Sequence, residues 1–141
     1  MIYADYNATC PSKTSHLSDV MQILRGAEGN PSSIHQFGRR SKAILEESRQ
    51  NIAQVLGASS DQIIFTSGAT EANNMMIASI LGDNEPQHIV LTKTEHPSVI
   101  NPITVRQKKN LCRASFISVD KDAIINQKDL FDTIDENTKC I

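Results

Sequence analysis

Apolar residues recur along the first part of the chain with a helical period. Leu17, Val20, Met21 and Leu24 are spaced three, one and three apart, which predicts a short helix that Gly26 and Gly29 end. Residues 29–35, GNPSSIH, read as a loop, and Asn30 is expected to be extended because Pro31 follows it. The strongest periodicity comes next. Ile34, Phe37, Ser41, Ile44, Leu45, Ser48, Ile52, Val55 and Leu56 fall on one face. Arg39, Arg40, Lys42, Glu46, Glu47 and Arg49 lie mostly off it. This is the pattern of an amphipathic helix of several turns, with Gly57 placed to stop it.

After Gly57 the rhythm changes to short apolar runs separated by helical ones. QIIF (62–65) reads as a strand and 70–81 as a helix. HIVLT (88–92) reads as a strand and 97–109 as a helix, and RASFISV (113–119) alternates as a strand does. Asn126, with Asp129 three residues on, resembles a cap for a helix whose apolar face is Leu130, Phe131 and Ile134. Thr138 to Ile141 starts a further strand, whose edge is expected to be open. Pro102 lies inside the 97–109 helix and predicts either a kink or a start moved to about Asn101. Strand–helix alternation with short links predicts an α/β fold with a mainly parallel sheet flanked by helices.

Three places carry candidate chemistry. The turn TSGATE (66–71) joins an apolar run to a helix. The first N–H groups of a helix lack internal partners and bear partial positive charge. Gly68 admits close approach, and Thr66, Ser67 and Thr70 add hydroxyls, so the turn suits a phosphate. It matches neither the P-loop nor the dinucleotide fingerprint, and the same residues also fit an ordinary helix cap. His96, in TKTEHPSVI (92–100), follows a strand at the sheet edge where α/β proteins bind ligands. Its imidazole suits stacking on a flat ring or moving a proton, or else simply caps the helix that Pro97 opens. The loop GNPSSIHQFG (29–38) offers Asn30, Ser32, Ser33 and His35 and serves equally as turn and cap. His16 and His88 receive no role.

The 141 residues, with a net charge of −2, suit a globular protein and give no reason for direct nucleic-acid or membrane binding. The amino terminus, MIYADYNATC, has no signal-peptide core, which predicts a cytoplasmic location. Cys10, Cys112 and Cys140 are odd in number and widely spaced, so they predict reduced thiols, and no metal-ligand spacing occurs.

In order, YADYNATCP (3–11), GNPSSIHQFG, FTSGATEANN (65–74) and TKTEHPSVI resemble the signatures of the NifS/IscS-type cysteine desulfurases. These are class-V aminotransferase-like enzymes of fold type I that depend on pyridoxal 5′-phosphate. The resemblance covers essentially the whole chain. It implies the N-terminal part of a PLP-dependent transferase (aspartate aminotransferase-like) fold. Residues 1–33 would form a lead-in segment with a short helix and loop. Residues 34–141 would form an incomplete large cofactor-binding α/β domain. By resemblance, Gly68, Ala69 and Thr70 hold the cofactor phosphate, and His96 stacks on the pyridine ring as a cofactor-binding and catalytic residue. The family's homodimers also imply that Asn30 and His35 are candidates for a substrate loop that would serve a site shared between subunits.

The family reaction takes L-cysteine to L-alanine and leaves a protein persulfide. The persulfide passes to iron–sulfur scaffold or tRNA-thiolation proteins. The family's lysine, its ring-nitrogen aspartate, its catalytic cysteine and its carboxylate-binding arginine match no position here. Cys10 stands where threonine is usual. The chain alone is therefore expected to be inactive and not to anchor the cofactor covalently. It would be a fragment, a naturally shortened interaction protein, or half of a two-chain enzyme. A selenocysteine lyase or another class-V transaminase would carry similar motifs.

Overall fold

The computed structural model describes residues 2–82 and 86–141. Two compact units form, Met1–Ile64 and Phe65–Ile141.

In the first unit a 3-10 turn, Thr14–His16, leads into α1, Leu17–Gly26. The predicted apolar stripe of α1 remains about half exposed, from Val20 at 48% to Leu24 at 58%. The long amphipathic helix is α2, Gln36–Leu56, and Gly57 ends it in the left-handed region at φ 65°. Residues 29–38 form a tightly packed unit of turn and helix start. The Asn30 carbonyl accepts from Ser33 N at 2.9 Å, and Asn30 Oδ1 accepts from Ser32 N at 2.9 Å. Gly29 N donates to the buried Ser41 hydroxyl at 3.1 Å. A Cβ at Gly38 would stand 2.3 Å from Ser33 O, and one at Gly29 2.4 Å from the Phe37 carbonyl carbon. Both glycines are thus required by backbone crowding. The sequence division put α2 with residues 34–141; here it packs within the first unit, against α1 and a 3-10 turn at Ser60–Gln62.

One predicted strand does not form. Residues 60–62 wind into that turn, with Ser59 N donating to Gln62 Oε1 at 2.9 Å. Ile63 is extended, at φ −95° and ψ 122°, but QIIF pairs with no strand among the described residues. The Ile63 carbonyl accepts instead from the Arg49 guanidinium. Apolar, extended backbone becomes a strand only where a neighbour completes its ladder.

The second unit holds α3 (Ala69–Leu81), β1 (Gln87–Thr92), α4 (Pro97–Lys108), β2 (Cys112–Ile117), α5 (Gln127–Thr133) and β3 (Thr138–Cys140). The sheet is parallel, in the order β2-β1-β3. Its two crossovers run in opposite directions, which for right-handed connections places α4 and α5 on opposite faces. β1 is central, and His88, Ile89, Val90 and Leu91 are all buried, as a strand covered on both sides must be. Ile89 and Leu91 pack with Ile77, Leu81, Ile103 and Cys112. Asn126 caps α5, its Oδ1 accepting from Lys128 N and Asp129 N. Pro102 does not shift the start of α4, which begins at Pro97. The His96 cap and Pro97 at the first helical position hold that end, and buried Ile103 anchors the residue after Pro102.

His88 ties the sheet together. It is 1% exposed, with Nδ1 2.7 Å from Thr138 Oγ1 on β3 and Nε2 2.9 Å from Ser115 Oγ on β2. Burial, then the Arg113 charge, holds its pKa below the ordinary histidine range, against the pull of Asp135. The folded protein therefore takes up this proton less readily than the unfolded chain, whose histidine titrates near about 6.5. Stability from this residue is complete above that pH and is lost as the pH falls through it toward the lower folded value. Urea midpoints measured from about pH 7.5 down to about 5.5 should fall. The fall should be shallower in His88→Gln; equal slopes in the two proteins would refute the assignment.

Candidate functional site

α3 and α4 begin side by side in the second unit, and the two starts are built differently. α3 starts at Gly68, which makes no side-chain cap. Among the described residues no acceptor meets the N–H groups of Ala69 or Thr70, while Ala72 N already bonds Gly68 O at 3.1 Å. Gly68 sits at φ 164° and ψ 179°, extended backbone open to any residue, and a Cβ there would meet nothing within 4 Å. Neither conformation nor internal packing calls for glycine here, unlike at Gly29 and Gly38. The space above the first turn of α3 is open.

The neighbouring polar groups are engaged. Thr66 Oγ1 donates to Gly68 O at 3.2 Å, and Asn74 Nδ2 donates to Thr70 O at 2.7 Å. Glu71 Oε2 accepts from Ser67 N at 2.6 Å. That backbone bond, then the Ser67 hydroxyl, lowers the Glu71 pKa against slight desolvation, so the carboxylate is ionised and committed to Ser67. Of the hydroxyls named from sequence, those of Thr66 and Ser67 are thus used internally. The first-turn N–H groups and Thr70 Oγ1 remain for a ligand.

α4 starts at His96, which caps itself. His96 Nδ1 accepts from Ser98 N at 3.1 Å and lies 2.8 Å from Ser98 Oγ. Ser98 Oγ in turn accepts from Asn73 Nδ2 on α3 at 2.8 Å. The His96 ring is exposed. Thr70 and His96 share one open depression of about 950 Å³ between the helices, which continues past Asn101 to Arg106 and Lys109. Sequence reading missed Asn73 and Ser98; the only signal was a short polar residue at the second helical position after His96.

Asn30 and His35 lie in the other unit. His35 Nδ1 accepts from Gly38 N at 3.3 Å as the cap of α2. None of the cysteines is paired. Cys112 is buried, and desolvation, partly opposed by Arg106, pushes its thiol up, which disfavours a nucleophilic thiolate. Among the described residues there is no metal-binding cluster and no helix long and apolar enough to cross a membrane.

Residues 2–141 match the family described as aminotransferase class-V. A cysteine desulfurase of the IscS type from Dictyoglomus turgidum is 37% identical over 139 residues, 97% of this chain and 35% of the relative. A solved NifS-like protein superposes with a TM-score of 0.82 at 29% identity, over 95% of this chain and 37% of the other. A structure described as SspA in complex with cysteine gives 0.79 at 25% identity, over 96% of this chain and 40% of the other. The chain spans little more than a third of the length of these relatives, and the α/β arrangement is that of their N-terminal part.

Gly68→Ser should leave folding stability unchanged or raise it by a few tenths of a kcal/mol, because serine is a good helix cap and its side chain enters open space. A urea midpoint that drops by more than about 1 kcal/mol equivalent would mean that the fold itself requires the glycine.

Proposed function

The chain belongs to the class-V aminotransferase family, and from that premise we propose that it carries the phosphate-binding turn and ring-side histidine of a cysteine desulfurase that uses pyridoxal 5′-phosphate. The observation that carries the reading is the turn at Gly68: open N–H groups, no side-chain cap, and a glycine that neither its conformation nor any contact among the described residues requires.

The residues present fit the cofactor's phosphate. The N–H groups of Ala69 and Thr70, with Thr70 Oγ1, would bind it, and the positive end of α3 favours the charge. Glu71, held by Ser67, does not compete for those donors. His96 would lie along the flat ring and keep it in place. When bound, the cofactor supplies the electron sink for chemistry at the substrate's carbon. In the whole enzyme the substrate would be L-cysteine and the products L-alanine and a protein persulfide, passed to iron–sulfur scaffold or tRNA-thiolation proteins. We infer a cytoplasmic homodimer. Asn30 and His35 would face its shared site, a role supported by the crowded glycines that hold their loop.

The test is a titration of the isotope-labelled chain with pyridoxal 5′-phosphate and with pyridoxal, read from amide shifts. The phosphate form should move Gly68, Ala69 and Thr70, and pyridoxal should not. Thr70→Ala should weaken binding roughly tenfold, as expected for one hydrogen bond to a charged group. Equal shifts with both compounds, or no shift at these residues, would exclude the reading.

A further inference from the structure

We propose that Asn73 and Ser98 form a one-way hydrogen-bond relay that fixes neutral His96 as its Nε2–H tautomer, so that the ring meets a bound group as a hydrogen-bond donor. The direction follows from the atoms. The backbone N–H of Ser98 donates to His96 Nδ1 at 3.1 Å, so Nδ1 carries a lone pair and no proton. Ser98 Oγ, 2.8 Å from the same nitrogen, must then turn its hydrogen toward it, since two lone pairs would repel at that distance. A hydroxyl that donates there has only acceptor positions left, and Asn73 Nδ2 fills one at 2.8 Å. Ser98 is 8% exposed, so its hydroxyl has little water to turn to. The relay runs from α3, through the second residue of α4, into the ring.

With Nδ1 held, the single proton of the neutral ring is on Nε2, which makes no hydrogen bond among the described residues. In this arrangement His96 offers the depression an N–H donor. Asn73 and Ser98 are positioning residues. What the donor does for a bound ring rests on the cofactor reading above; the tautomer does not.

Histidine-selective nitrogen-15 labelling of the chain and long-range proton–nitrogen correlation at about pH 8, above the ordinary histidine pKa of about 6.5, read the tautomer without any ligand. The unmodified chain should show a pyridine-type Nδ1 and a pyrrole-type Nε2 for His96. Asn73→Asp replaces the donor by an acceptor, turns the Ser98 hydroxyl around and presents its lone pair to Nδ1. The Nδ1 resonance should shift toward the pyrrole-type position. Adding Ser98→Ala to that variant removes the reversed hydroxyl while keeping the backbone donor, and should restore the original pattern. A pyrrole-type Nδ1 in the unmodified chain overturns the proposal, and that spectrum decides even where Asn73→Asp does not fold. An unshifted Asn73→Asp with a native amide spectrum overturns it too, as does a double variant that keeps the shift. Because no cofactor enters, failure here leaves the phosphate reading standing, and failure of that reading leaves the tautomer result intact.

Discussion

Ile103 has no exposed surface, and it closes an apolar seam with Ile77 and Leu81 of α3 and with Ile89 and Leu91 of β1. That seam holds α3 against α4 over the sheet. α3 packs against α4, and Thr70 and His96 at their two starts line one depression, with His96 just beyond the end of β1. Two helix N-termini therefore meet at the carboxyl edge of a parallel sheet, where such folds place ligands. Interior packing makes the pairing rigid, since buried aliphatic side chains admit few alternative fits.

The two starts share a dipole and differ in what they do with it. At α4 the helix spends one of its free donors on its own histidine, so the turn is closed to an anion and the ring is aimed. At α3 there is no side-chain cap, and the nearest carboxylate, Glu71, is turned onto Ser67. One turn positions a ring, and the other leaves donors open for charge. The Asn73–Ser98 hydrogen bond joins them, so displacing either helix start disturbs the other.

Much of this was legible in the chain. The 3.6-residue period located α1 and α2, the apolar runs located β1 and β2, and Asn126 announced the start of α5. The motifs around Gly68 and His96 marked the candidate site because glycine, hydroxyls and imidazole at the start of a helix are local signals. What escaped was set by partners distant in sequence. QIIF has the composition of a strand, but no strand among the described residues pairs with it. His88 looked idle because its hydrogen-bond partners, Ser115 and Thr138, lie on other strands. Pro102 looked disruptive because the burial of Ile103 and the strength of the His96 cap are tertiary facts. Asn73 and Ser98 are ordinary residues until the packing of α3 on α4 brings them together.

The most direct measurement is a crystal structure of the chain grown with pyridoxal 5′-phosphate. The account predicts the phosphate against the N–H groups of Ala69 and Thr70, with the ring beside His96. A phosphate bound instead at the Arg106 and Lys109 end of the same depression, leaving the first turn of α3 open, would contradict it.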